Sequence, residues 1–220
     1  MNLRRPVVRI NRPVRADPAP ARARRHLRIG LLGGSFNPAH EGHRAISLEA
    51  MKRLRLDRVW WLVSPQNPLK PVQGMASFAE RFAGAQAAAR HPRIIVSDLE
   101  QRLGTDYTVD TMRWLQRHCH ARFVWLIGAD NLAQLPHWRG WRELVRRVPI
   151  AVFDREPYSY RALAGRAAQA FADARRPERD AASLADLGPP AWVFLHLRRY
   201  RVSSTAIRQE RTRQPAAGRA

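Results

Sequence analysis

The chain of 220 residues has one cysteine, Cys119, so no internal disulfide framework can staple it, and a reducing compartment suits it. It holds two lysines, Lys52 and Lys70; arginine supplies nearly all of its positive charge. No apolar run approaches the roughly 18 residues that span a bilayer, and the N-terminus lacks the apolar segment of a secretory signal. These absences predict a cytoplasmic protein with no membrane partner. Acidic residues are also scarce, at 18 against 39 basic ones, which leaves a net charge of +21. Such a charge invites a nucleic-acid reading. However, residues 1–26 alone carry eight arginines against Asp17. A basic protein that handles anionic nucleotides is the simpler account, with no dedicated nucleic-acid partner. A basic nucleic-acid or anionic-surface module stays open as the reading of a different class.

Pro6, Pro13, Pro18 and Pro20 interrupt the first 26 residues and prevent a stable helix, so the sequence predicts a flexible extension over 1–26. It predicts a second tail over 211–220 and one domain over 27–210. Within that domain, short runs rich in Val, Ile, Trp and Phe recur at Leu27–Leu32, Arg58–Val63, Arg93–Ser97, Phe123–Ile127, Ile150–Phe153 and Trp192–Leu197. Helix-like spacing fills 43–54, 77–90, 108–119, 139–147 and 160–173. Alternation of this kind predicts an α/β fold: a Rossmann-like doubly wound parallel sheet with helices on both faces. Ligands of such sheets bind beyond the carboxyl ends of the strands, where the strand order switches.

The first strand leads into Gly33-Gly34-Ser35-Phe36-Asn37-Pro38-Ala39-His40-Glu41-Gly42-His43. Glycines allow close backbone approach and positive φ, and the start of the following helix favours bound phosphate. His40 and His43 sit where that helix begins, so both imidazoles can face one anion. A zinc pair is disfavoured, because no third ligand is evident nearby. Near the other end, Val202-Ser203-Ser204-Thr205-Ala206-Ile207-Arg208 can cap a helix and set Arg208 on the same side as Ser204. Alone this is an ordinary capped C-terminal helix; beside the first motif it reads as a second phosphate grip.

Together the two motifs resemble the nucleotidyltransferase superfamily with its (H/T)xGH and late SST-type motifs. Ser64-Pro65-Gln66-Asn67-Pro68-Leu69-Lys70, Asp106-Tyr107-Thr108-Val109-Asp110-Thr111, Ile127-Gly128-Ala129-Asp130 and Leu135-Pro136-His137-Trp138 extend the resemblance to the bacterial nicotinate-nucleotide adenylyltransferases, over roughly 27–210. One departure is Asn37, where many members carry Asp. The resemblance implies adenylyl transfer from ATP to nicotinate mononucleotide, giving deamido-NAD and pyrophosphate, a step of NAD biosynthesis, with Mg2+ accompanying ATP. It implies that Gly33, Gly34, Ser35, Phe36, His40, His43, Gly128, Asp130, Ser203, Ser204, Thr205 and Arg208 meet ATP. Ser35, Asn67, Lys70, Tyr107, Thr108 and Trp138 would meet the mononucleotide, and His40, His43, Lys70 and Arg208 would serve the chemistry. Lys70 could equally be a solvated loop charge, Trp138 a half-buried aromatic and Asp130 a helix cap. Same-fold enzymes that adenylate nicotinamide mononucleotide or phosphopantetheine remain the near alternatives, and a homo-oligomer is left open. His118-Cys119-His120 has no partner cluster in the sequence and takes no function.

Overall fold

The computed structural model describes residues 26–66, 73–154 and 158–197. Seven parallel strands form one sheet: β1 (Leu27–Gly34), β2 (Arg58–Val63), β3 (Ile94–Ser97), β4 (Ala121–Gly128), β5 (Ile150–Phe153), β6 (Arg175–Arg176) and β7 (Trp192–Leu195). Their order is β3-β2-β1-β4-β5-β7-β6. The chain winds outward in one direction from β1 to β3, then returns to β4 on the other side of β1. The gap between β1 and β4 is therefore the switch point, where the connections leaving the two strands diverge and open a crevice.

The helices are α1 (Glu41–Arg53), α2 (Phe78–Ala89), α3 (Leu99–Leu103), α4 (Thr108–His118), α5 (Ala129–Gln134), α6 (Trp141–Arg147), α7 (Ser159–Leu163) and α8 (Arg166–Ala170). Successive strand residues point to opposite faces. Phe123, Trp125 and Ile127 of β4 join the core under α4 to α8, whereas Val124 and Leu126 join the core under α1 and α2. Both faces are buried, which is why the strands read as continuous apolar runs rather than as an alternation. The parallel sheet with helices on both faces agrees with the sequence reading.

Some elements differ from it. β1 continues through Gly33 and Gly34, which pair with Leu62 and Val63 of β2, so these glycines end the strand and do not form the turn. Neither has a positive φ; the left-handed residue is Phe36, at φ 48°. The helix expected over 160–173 is two short ones, α7 and α8, parted at Gly165. The short α3, α5 and β6 carry too few residues to show a period.

Candidate active site

α1 starts at the carboxyl end of β1, beside the switch point. His40 is its N-cap, with extended backbone at φ −151° and ψ 169°. The Gly42 N–H donates to His40 Nδ1 at 3.0 Å, and the His40 N–H donates to His43 Nδ1 at 3.2 Å. A nitrogen that accepts an N–H cannot carry a proton, so each neutral ring holds its proton on Nε2. The two rings lie 4.0 Å apart between centroids. The helix start is thus not the set of open amides that the sequence suggests. Part of it is capped, and two imidazoles stand in front of it with Nε2–H as the donor.

Phe36 forms the floor. It is 2% exposed, stacks on Trp61 at 5.1 Å and lies 4.8 Å from the His43 ring. Trp61 Nε1 donates to Ser47 Oγ at 2.7 Å, and Ser47 Oγ donates to the His43 carbonyl at 2.8 Å. This buried chain fixes His43 from β2, and it leaves Phe36 only its backbone to offer a ligand. Ser35 is buried, and its hydroxyl makes no hydrogen bond among the described residues. A buried hydroxyl without a partner is costly, and at the rim of a phosphate site a ligand oxygen would satisfy it. Asn37 ties the turn to the segment before α2: Nδ2 donates to the Gly74 carbonyl at 3.3 Å, and Oδ1 accepts from the Ala76 N–H at 3.4 Å. An ionised Asp could accept but not donate, so the amide makes a two-way tie that the commoner residue cannot.

The two glycines have separable roles. A Cβ on Gly33 would meet the buried Trp125 ring at 2.9 Å, whereas one on Gly34 would lie in ordinary contact with Phe36 at 3.5 Å. Gly33→Ala should destabilise the protein by about 2 kcal/mol through overpacking. Gly34→Ala should stay within about 0.5 kcal/mol of the parent, and it should lose activity where a bound ligand packs on the open side of that Cβ, away from Phe36. Urea unfolding of both variants, beside turnover, checks this; a fully active Gly34→Ala would place the ligand elsewhere.

A second helix start lies at the same edge of the sheet. α4 begins at Thr108, and its N-cap, Tyr107, provides no side-chain cap. The 11-residue helix presents its positive end there, which suits a carboxylate. Trp138 follows a short 3-10 helix over Leu135–His137, and the next residue, Arg139, lays its guanidinium over the Tyr107 ring at 4.6 Å. Gly140 sits so close to Val109 of α4 that a Cβ would lie 3.2 Å from Cγ1. Arg113 of α4 donates from Nε to Glu143 of α6 at 2.9 Å, and Arg147 Nε donates to the same carboxylate at 2.6 Å. These guanidinium bonds pull the Glu143 carboxyl down to about 2. The bracing of α4 against α6 thus holds Arg139 and Gly140, which follow Trp138, against the start of α4 that carries Tyr107 and Thr108. Gly128 and Asp130, at the end of β4 and in the first turn of α5, lie across the switch point from Gly33. Asn67, Lys70, Ser203, Ser204, Thr205 and Arg208 lie outside the described residues.

Among the described residues no group of three His, Cys, Asp or Glu side chains could hold a metal ion. Among the described residues no helix is long and apolar enough to cross a membrane. Two groups close to the site escape the sequence reading. Arg81 is a buried cation on α2, and Glu100 on α3 is 5% exposed and accepts from Thr111 Oγ1 at 3.0 Å. A charge on the apolar side of a helix is the signal that finds Arg81, since it falls between Phe78 and Ala85 at helical spacing. Glu100 lies in a five-residue helix that shows no period, so no comparable signal exists.

The chain is similar to known proteins over the same segments. A family model described as cytidylyltransferase-like matches residues 31–210. A Bradyrhizobium protein named "Probable nicotinate-nucleotide adenylyltransferase" is 55% identical over 183 residues, covering 83% of this chain and 95% of the relative. A Parvibaculum lavamentivorans protein of the same name is 55% identical over 184 residues, covering 83% and 92%. In fold, the chain is similar to a Plasmodium falciparum nicotinic acid mononucleotide adenylyltransferase complexed with NaAD, at a TM-score of 0.62 and 16% identity over 84% of this chain and 83% of that one. With two imidazoles at a switch-point helix start and a matching family model over most of its length, the chain belongs to the cytidylyltransferase-like family, among the nicotinate-nucleotide adenylyltransferases.

Proposed function

We propose that the protein transfers the adenylyl group of ATP to nicotinate mononucleotide, forming deamido-NAD and pyrophosphate in NAD biosynthesis. The observation that carries this reading is the pair of helix starts at one sheet edge. One is fronted by His40 and His43, and the other, at Thr108, has no side-chain cap and packs at Tyr107 and Val109 against Arg139 and Gly140, the residues that follow Trp138. The first suits phosphate, and the second suits the carboxylate of an aromatic acid.

A 5′-phosphate oxygen of the mononucleotide attacks the α-phosphorus of ATP. The new P–O bond forms as the bond from the α-phosphorus to the bridging oxygen breaks, and pyrophosphate leaves with the electron pair. Both reactants are anions. At 4 Å two unit charges repel by about 4 kcal/mol at an effective dielectric near 20. His40 and His43 donate from Nε2 to the α-phosphate and the departing pyrophosphate, offsetting charge that grows in the transition state. The side chains need form no covalent intermediate, since orientation and electrostatics supply the rate. Thr108 offers its backbone N–H to the nicotinate carboxylate, Tyr107 joins it by turning its N–H from Thr105 Oγ1, to which it donates at 3.2 Å in this structure, and Trp138 stacks on the ring. Lys70, Ser203, Ser204, Thr205 and Arg208 complete the phosphate grip, and Asn67 the mononucleotide site. Mg2+ accompanying ATP would supply neutralising charge to its phosphates. ATP as a substrate fits a cytoplasmic enzyme.

The test is pyrophosphate release with Mg-ATP and three acceptors: nicotinate mononucleotide, nicotinamide mononucleotide and phosphopantetheine. A preference for the nicotinate form of about 10²-fold or more is expected, because an amide leaves the α4 amides without their anionic partner. Release with another acceptor alone would move the protein to a sister activity. Silence with all three would return the basic-module reading.

A further inference from the structure

α2 buries a full positive charge. Arg81 is 3% exposed. Its Nη1 donates to the Ser35 carbonyl at 2.7 Å and the Ser64 carbonyl at 2.8 Å; its Nη2 donates to the Pro65 carbonyl at 2.8 Å, and its Nε to the Ala76 carbonyl at 3.1 Å. No carboxylate pairs with it among the described residues. Burial accordingly pushes its guanidinium below the ordinary value.

The four acceptors have a pattern. Ser35 is the first residue after β1, Ser64 and Pro65 are the first two after β2, and Ala76 lies just before α2. These segments bound the turn that leads to His40 and include the last described residues before Lys70 in the chain. Arg81 also lines a cleft of about 900 Å3 that it shares with Phe36, Asn37 and His40. Holding four carbonyls from three segments takes several donors in one rigid plane, which the guanidinium has and an ammonium lacks. An apolar residue here would leave those carbonyls to other partners.

We propose that Arg81 is a positioning residue that locks the exits of β1 and β2, at Ser35 and at Ser64–Pro65, into one geometry, so that the His40 turn is held in register with the end of β2 when it meets the phosphates. The role rests on the adenylyl-transfer reading. Arg81 itself touches no reacting atom.

Arg81→Lys and Arg81→Gln test it, with kcat and KM for both substrates measured well below each variant's unfolding temperature. Arg81→Lys keeps the charge but loses the fork. It should raise the KM values for ATP and nicotinate mononucleotide together and lower kcat/KM about 10- to 100-fold, the scale of misplacement by an ångström or less. Hydrogen exchange should speed up at residues 35–37, 64 and 66 and stay unchanged along β5 and β7. Arg81→Lys with parental kcat, KM and exchange would overturn the proposal, and so would a fall in unfolding temperature alone. Should Arg81→Gln fail to fold, Arg81→Lys still decides. If the parent protein itself fails to adenylate nicotinate mononucleotide, the proposed function falls, while the exchange data still judge the lock.

Discussion

His40→Ala is expected to lower turnover by about 10²–10³-fold, the effect of removing one pre-aimed donor from a developing oxyanion. The same substitution costs about 1 kcal/mol of stability, because His40 Nδ1 is also the acceptor that caps α1 through the Gly42 N–H. The two losses can be separated. Asn is among the best N-cap residues, so His40→Asn should recover the stability and leave turnover low, since its short amide does not place a donor where the imidazole Nε2–H stands. His43→Ala should behave differently. It removes the acceptor for the His40 N–H and a ring packed 4.8 Å from Phe36, so it perturbs the floor as well as the donor set. Steady-state kinetics with urea unfolding on the three variants checks the assignment. A folded His40→Ala enzyme with near-parental turnover would confine His40 to capping.

What the sequence could show about this site follows from how local each feature is. The strands were legible because both faces of a parallel sheet are buried, and six apolar runs stand out between polar helices. β4 shows the limit: its apolar run was readable, but that it lies beside β1 and creates the switch point depends on strand order, which no local pattern encodes. His40 and His43 were legible as a pair at a helix start. That His40 Nδ1 accepts from the Gly42 N–H and His43 Nδ1 from the His40 N–H depends on rotamers, and it changes the donor from an amide to an imidazole. Gly33 and Gly34 look alike in sequence and differ in space, since Trp125 of the neighbouring strand reaches only one of them. Arg81 bonds residues 5 to 46 positions away in the chain. Its partners are carbonyls, which every residue has, so composition cannot mark them.

Glu100→Gln should make the protein more stable above neutral pH, and the reason lies under the proposed carboxylate seat. Glu100 belongs to α3, and its side chain accepts from Thr111 Oγ1 on α4 while its own backbone carbonyl accepts from the Thr105 N–H. It therefore sits beneath the segment that carries Tyr107. Burial raises its carboxyl from 4.5 to about 7; the Thr111 hydroxyl works against this rise, and the nearby Asp106 charge adds to it. The folded state thus holds a proton that the unfolded chain releases above 4.5. Where the folded state binds more protons, stability falls as pH rises. The stabilisation is complete below about 4.5, declines through about 7 and is gone above it. The whole interval corresponds to about 3 kcal/mol. Gln keeps the shape and an oxygen for Thr111 and does not titrate. Parent and variant should match near pH 4.5, and the variant should be more stable by up to about 3 kcal/mol at pH 8. The difference between the two profiles cancels the carboxylates that titrate elsewhere, among them Glu143. Urea unfolding at both pH values decides it: a constant difference between the proteins from pH 4.5 to 8 would mean that Glu100 stays in one charge state and that α4 is held over its seat by packing alone.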